Sequence, residues 1–561
     1  MNTEKVHVQS AVGQNGGKAN VNLSAPTLLT AKIGQILPIF HRECVPGDHF
    51  NVTSHMFSRF LPLSVPSYVT LTYRTMSVFV PYHQVFDGCE SFMSNQPYFK
   101  GKANTLPRIK VKEIYTMFTD SVRGLTTQYS QGDAPDHTDL QNFADDEMYV
   151  FTAKGFYFWK VLNLLGYRLP HNFADENYPQ YLNALPLLAF AHAYNSYLSY
   201  SPDYNTSLLS ETLENIKRAP GTTIDAQVVY TLLNSVLLTY EENFFTTAWM
   251  SPNSIYEHYE EQFKTRSIGV PGVEGVAVDY DGFGGSSVEL EHRRELTAQQ
   301  IRLVMKFDDY FRRSNYSGSK DIQQIYSRFG VQIDDYKCRY PYFLNESSKE
   351  VQIGDVTSTA DTEGAPIGAY AGKAIGSDDA HFEFDSKDYG MLFTFAWLAP
   401  RPIYFQGVDK ELLRFSPFDF YTPELDQGFA SAINYEQVSA DCAHPGTTWG
   451  YCPLYSEYLY PQAAIAGDFT RFIEMKAWHF GRIFDGDVPA AQSDSFIYMP
   501  STGTEFERIF NIEDTELVDV DSCYMTIQNE VHAVRPMKDF TGKLNLGDGD
   551  LGVQVNGSQI N

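Results

Sequence analysis

"GQILPIFHRECVPGDHF" (residues 34–50) carries two histidines, one cysteine and two carboxylates in a single short run. Two readings compete for it. In the first, His41, Cys44 and His49 are metal ligands. In the second, the run is a strand followed by a tight turn. Zinc sites pair their ligands at short fixed spacings, and a closed structural site needs four. Here the spacings are uneven and no second cluster lies nearby. An extended backbone also sends His41 and Cys44 to opposite faces. The strand reading accounts for more of the residues. Large apolar side chains populate 35–45, and "PGD" is a turn signal. Extended character resumes at Phe50 and continues to Leu63. The stretch therefore reads as strand, turn, strand, with Pro46, Gly47 and Asp48 as the turn marker.

The same grammar recurs at both ends of the chain. In "VTLTYRTMSVFVPY" (69–82), Val69, Leu71 and Tyr73 alternate with Thr70, Thr72 and Arg74. The phase changes near Thr75, which predicts a bulge there. "MLFTFAWLA" (391–399) is almost continuously apolar. Met525, Ile527, Val531 and Ala533 alternate with Thr526, Gln528, Glu530 and His532. The middle differs. Residues 156–170 and 184–198 have helical or mixed patterning. Residues 297–311 predict a helix, with Thr297 and Gln300 as a capping pair and Leu303, Phe307, Tyr310 and Phe311 on one face. A second helix is expected through Ile322, Ile325, Tyr326 and Phe329, with Gly330 as its stop. Residues 266–287 are Gly-rich and read as a surface excursion. No internal repeat is visible. Strands, an elaborated middle and strands again imply one β-sandwich with large insertions, not a string of domains.

Composition narrows the function classes. The 561 residues hold 69 Asp and Glu against 42 Lys and Arg, a net charge of −27. Such a surface is unsuited to coating duplex nucleic acid, though aromatics and a few cations can still meet single strands. Tyr and Phe number 37 and 40; half-buried sheets, broad interfaces and sugar-binding surfaces all use them. The six cysteines are scattered without a C-x-x-C pair, which fits a reducing compartment. The polar start carries no visible signal peptide and no apolar run reaches membrane-spanning length, so folding in a cytoplasm is expected.

Local motifs add no chemistry. "DYDGFGG" (279–285) and "GDGDLG" (547–552) resemble pieces of calcium loops, but Gln559 stands where a loop starting at Asp548 needs Glu. "GFGGSS" (282–287) lacks the order and lysine of a phosphate loop. Neither G-x-S-x-G nor H-E-x-x-H occurs. Among so many acids, pairs that mimic glycosidase carboxylates arise by chance. No catalytic residue, cofactor or metal ligand is predicted. Arg535, Lys538 and Lys543 near the end, and Lys5 and Lys18 near the start, are candidates for nucleic-acid contact and equally for solvated termini. The DNA-contacting residues stay open.

Taken in order, the segments resemble the major capsid protein of microviruses, small tailless single-stranded DNA phages, in their gokushovirus-like branch. "GQILPIFHRECVPGDHF" resembles that family's first strand and turn, with "VPGD" its most specific element. "FLPLSVPSYVTLTYRTMSVFVPYHQVFD" (60–87) resembles the strands that follow. "NALPLLAFAHAYNSYL" (183–198), "EENFFTTAWMSPN" (241–253), "IYSRFGV" (325–331), "LAPRPIYFQGVDKELLRFSPFDFYTPELDQGF" (398–429), "LYSEYLYPQAAIAGDF" (454–469), "KAWHFGRIF" (476–484) and "VHAVRPMKDF" (531–540) are similar to later family segments. The chain departs from the pattern at 310–321, at 339–345 and at Lys538.

The resemblance implies a mainly β fold: a single eight-stranded antiparallel jelly roll with long interstrand insertions containing helices. It implies a flexible N-terminal arm (1–30) lying inside the shell and one jelly-roll domain (31–561). Insertions are expected at about 88–240 and 254–390, with 254–296 a surface protrusion that meets a host cell-surface receptor. The implied role is structural and non-enzymatic: self-assembly of sixty copies into a T=1 icosahedral shell around a circular single-stranded DNA genome. Implied partners are further copies of the chain, that DNA, a small basic DNA-binding phage protein, and scaffolding and minor or pilot proteins. The implied location is the virion, assembled in the host bacterial cytoplasm. The competing class is a jelly-roll carbohydrate-binding protein or glycosidase. Paired carboxyls facing a cleft would mark the glycosidase, and outer edges buried in symmetric contacts would mark the capsid protein.

Overall fold

The computed structural model describes residues 19–93, 105–110, 113–114, 128–129, 148–149, 153–168, 181–199, 204–219, 223–248, 266–269, 276–281, 285–290, 340–357, 370–423, 430–460, 463–484, 486–500, 505–510 and 521–536. Ten strands make the two main sheets: β1 (Ala19–Asn22), β2 (Ala25–Ala31), β3 (Leu37–Cys44), β4 (His49–Phe60), β5 (Leu71–Pro81), β6 (Tyr342–Glu350), β7 (Gln352–Thr357), β8 (Tyr370–Asp385), β9 (Gly390–Pro400) and β10 (Cys523–Arg535). In one sheet, β1 and β2 lie along β10, followed by β4, β8 and β7. The other runs β6-β5-β9-β3. Every pairing in both is antiparallel.

Side-chain alternation sets which face of the first sheet looks inward. Along β10, Cys523, Met525, Ile527, Asn529, Val531 and Ala533 are buried while Tyr524, Thr526, Gln528, Glu530 and His532 are exposed. β4 keeps the same period, burying Phe50, Val52, Met56 and Phe60. These inner faces meet the second sheet: Phe40, Phe79 and Leu392 share one cluster with Phe50, Val52, Phe382 and Val531. The molecule is thus mainly β and an antiparallel sandwich.

The second sheet is covered on both sides. Its outer cover is helical: α1 (Ala153–Leu164) and α2 (Leu185–Tyr197) lie against its strands, and α3 (Tyr204–Lys217) and α4 (Ala226–Asn234) stack in turn on α2 and α3. Phe190 of α2 packs on Phe395 of β9 with ring centroids 5.6 Å apart. All of β9 is buried, which explains its continuous apolar run. The same cover corrects the expected bulge near Thr75. β5 pairs β9 without interruption from Leu71↔Pro400 to Pro81↔Gly390, and the register shift sits on β6 between Phe343 and Asn345. Alternation ends at Thr75 because both faces of β5 are buried from there on.

Three boundaries differ from the sequence reading. Residues 19–30 of the expected flexible arm fall in β1 and β2, which pair with β10 over Ala19↔Arg535 and Ala25↔Asn529 to Ala31↔Cys523; residues 1–18 lie outside the described residues. Their small and polar side chains gave no apolar signal, because only one edge of the strand and one face need partners. The expected insertion 254–390 is shorter, since β6, β7 and β8 at 342–385 belong to the main sheets. Their exposed positions carry Ser, Lys, Asp and Glu, so no apolar run marks them as strands. A long segment between β9 and β10 was not foreseen as an insertion. It builds a satellite core from Ile433, Trp449, Phe484, Phe496 and their neighbours around the ribbon Ala430–Asn434/Thr448–Pro453.

Within 254–296, Arg266–Gly269, Val276–Asp281 and Gly285–Leu290 form a three-stranded antiparallel sheet of their own. The helices expected at 297–311 and 322–329 lie outside the described residues. No helix among the described residues is long and apolar enough to cross a membrane.

Candidate functional site

The turn after β3 is built around Asp48. Gly47 adopts φ +92°, a left-handed conformation that glycine enters without strain. The Val45 amide donates to Asp48 Oδ2 at 2.8 Å, and the Asp48 amide returns a bond to the Val45 carbonyl at 3.1 Å. Two more bonds join this turn to the one between β8 and β9: Gly47 N–H to Ser386 O and Ser386 N–H to Asp48 O, both 2.8 Å. Arg535 then closes on the buried carboxylate, with Nε 3.1 Å from Oδ1 and Nη2 2.8 Å from Oδ2. Arg535 Nη2 also donates to the Glu43 carbonyl at 3.0 Å. The cation considered for nucleic-acid contact is therefore engaged in locking the turn to the end of β10. Lys5, Lys18, Lys538 and Lys543 lie outside the described residues.

His41, Cys44 and His49 do not converge. Cys44 is fully buried among apolar residues of both sheets, and burial pushes its thiol well above the ordinary range. Burial, followed by the Arg42 charge, pulls the His41 imidazole below its usual value. His49 points outward, with Nδ1 2.8 Å from Asp385 Oδ1. No group of three or more potential ligands occurs among the described residues.

The outer face of β4 and β8 carries a ladder of polar cross-strand pairs. His55 Nδ1 lies 2.7 Å from Asp379 Oδ1, Thr53 Oγ1 3.0 Å from His381 Nδ1, and Asn51 donates to Glu383 at 3.0 Å. The ladder is exposed, so each pair contributes little stability. Its carboxylates make it a poor platform for a phosphate backbone.

Buried cations have no local signature in the sequence. Lys160 of α1 donates to both Asp521 oxygens at 2.8 Å and to Gln35 Oε1 at 2.6 Å, joining the helical cover to both ends of the chain. Arg482 lies against Tyr240 (4.3 Å to the ring centroid) and Phe496 (4.7 Å), and donates to the Phe496 carbonyl at 2.9 Å. Their partners are hundreds of positions or one loop away, so no local spacing announces them.

Loop 410–421 with residues 455–459 forms an exposed aromatic surface on an ordered frame. Arg414 stacks on Tyr458 (4.5 Å) and Phe420 (5.7 Å) and pairs with Glu457 at 3.0 Å. Lys410 reaches the same carboxylate at 3.6 Å. Ser416 and Asp419 cap the short helical turn Pro417–Asp419 reciprocally. Asp419 accepts from the Phe415 and Ser416 amides, which hold its carboxyl below the usual range.

The described residues thus form a sandwich of antiparallel sheets with a helical cover and a framed, exposed aromatic surface of the kind that marks an interaction site. Comparison with known sequences is specific. The sequence model of the capsid protein (F protein) family matches residues 8–113 and 168–540, and the chain belongs to that family of microvirus phages. Capsid protein VP1 of Bdellovibrio phage phiMH2K is 23% identical over 525 residues, which cover 88% of this chain and 89% of that protein. Capsid protein VP1 of Chlamydia phage 1 is 23% identical over 240 residues, covering 40% of this chain and 39% of that protein. As a capsid protein, the chain is a component of the virion.

Proposed function

We propose that the chain is the major structural subunit of a T=1 shell of sixty copies enclosing circular single-stranded DNA, and that it acts without catalysis. The family match across nearly the whole chain carries this reading. The subunit frame is a single eight-stranded jelly roll with helical insertions, formed by β2, β3, β4, β5, β6, β8, β9 and β10. Strand orders β2-β10-β4-β8 and β3-β9-β5-β6 support it, because the chain changes sheet at each step except from β5 to β6.

The acidic balance calls for a small basic DNA-binding partner to neutralise the genome. Scaffolding and pilot proteins complete the assembly in the host cytoplasm. Residues 254–296 form the protrusion that meets a host receptor, a reading supported by their self-contained three-stranded sheet. The extreme N-terminus lies inside the shell. Negative-stain microscopy of the expressed chain tests the central claim: uniform isometric particles are expected, and soluble monomers at every concentration would overturn it. Deleting 266–287 is expected to spare assembly and reduce attachment; loss of assembly would contradict the protrusion. Protease resistance of residues 1–18 in particles, but not in free chain, is expected of an internal terminus.

A further inference from the structure

The surface built by loop 410–421 and residues 455–459 is larger and more apolar than a solitary subunit needs. Phe415 is 89% exposed, Leu459 83%, Leu412 70% and Phe418 69%, with Phe420, Tyr421 and Tyr458 about half exposed. Its aromatic part is connected: Tyr421 lies 5.2 Å from Tyr455 and 6.3 Å from Tyr458, and Arg414 bridges Tyr458 to Phe420. At about 200 Å² per large side chain, these seven present on the order of 900 Å² of mostly apolar surface. Free monomers rarely carry more than roughly 300–600 Å² in one patch. One side of a standard protein–protein interface needs about 800 Å².

Its construction also fits a docking face. The buried Glu457 carboxylate beneath it already faces two cations, Arg414 and Lys410. That carboxylate is already out of water, so covering the patch adds no desolvation of it. The backbone beneath is fixed in advance. Asp419 and Ser416 cap the turn, Tyr455 Oη donates to the Phe418 carbonyl at 3.1 Å, and Tyr455 itself sits at φ +67°. A left-handed tyrosine is costly and persists only where its surroundings hold it. The aromatic side chains are thus presented on a rigid frame, which lowers the entropy lost on docking.

We infer that this patch is a principal contact between copies of the chain, with a second copy as its occupant. The inference rests on the capsid reading, and the exposed apolar area and the fixed backbone beneath it select this surface for the contact. The test compares the full chain with a Phe415→Ser/Phe418→Ser variant by sedimentation and negative stain, with thermal unfolding as a fold control. Both side chains are exposed, so the melting temperature is expected to hold while the concentration needed for association rises about tenfold or more. A second measurement uses Phe415→Cys. Its introduced thiol should react quickly with a maleimide in the dissociated chain and slowly in the associated one. Association of the folded double variant at the wild-type concentration would overturn the inference alone. Equal labelling in both states, or protection only after adding a different protein, would do the same. Failure of the wild-type chain to associate at any concentration would instead overturn the self-assembly reading, and this contact with it.

Discussion

Arg535 grips Asp48 through two hydrogen bonds, Nε to Oδ1 at 3.1 Å and Nη2 to Oδ2 at 2.8 Å, across 487 positions of sequence. Asp48 is completely buried, and its carboxylate also receives the Val45 amide. Removing it leaves an amide and a guanidinium short of a partner. Asp48→Ala is expected to cost about 2–3 kcal/mol, less than the largest buried-pair losses because Arg535 keeps some solvent. Urea unfolding of Asp48→Ala, Arg535→Ala and the double variant measures it. The double variant should lose little more than Asp48→Ala alone. Additive losses would mean the two residues act independently.

Gly47 gives a cleaner test of the turn. At φ +92° an added Cβ strains the backbone whatever the space, although its nearest neighbour, Pro536 Cγ, lies at 3.6 Å. Gly47→Ala is expected to lower stability by about 1–2 kcal/mol. Pro46→Ala, at the exposed neighbouring position, should stay within about 1 kcal/mol of wild type. Comparable losses from both would shift the explanation from φ to loop entropy.

How much of this was legible beforehand follows from where each signal lives. β4, β5, β9 and β10 were readable because burial on one face writes a period of two, and burial on both faces writes a continuous apolar run. β1 and β2 were not, because "ANVN" and "APTLLTA" carry few apolar residues and their pairing partner is 500 positions away. β6 and β8 hid for a related reason: Glu346, Lys349, Asp379 and Glu383 occupy their outer positions. The turn at Pro46, Gly47 and Asp48 was visible in composition, but the Arg535 partner of Asp48 was not, since ion pairs obey no spacing. The aromatic surface was present in "RFSPFDFY" as composition alone. Whether those rings face inward or outward is a tertiary fact.

Glu507 supplies a pH dependence. It is buried with Lys32, Oε2 to Nζ 3.5 Å, and burial, only partly offset by Lys32, pushes its carboxyl up to about 7. The folded state therefore holds a proton between the ordinary value near 4.5 and 7 that the unfolded state has released. Stability from this group is greatest below that window and falls as pH rises through it, by on the order of 3 kcal/mol. Glu507→Gln cannot ionise, so its melting temperature should drop less than the wild type's between about pH 5 and pH 8. Identical pH profiles for the two chains would refute the assignment.

The contrast between Phe395 and Phe415 separates folding from assembly. Phe395 is fully buried, stacked on Phe393 at 5.7 Å and packed against Phe190 of the helical cover. Phe395→Ala removes most of a ring from a site enclosed by a sheet and a helix that cannot both relax into the space. A loss of about 3–5 kcal/mol is expected, read as a lower urea midpoint with an unchanged slope. Phe415→Ala removes the same atoms from solvent and should change stability by no more than about 0.5 kcal/mol. Chemistry is identical at the two positions, so only environment can separate them. If Phe395→Ala proved as mild as Phe415→Ala, the helical cover would not be packed on β9, and the continuous burial of that strand would need another cause.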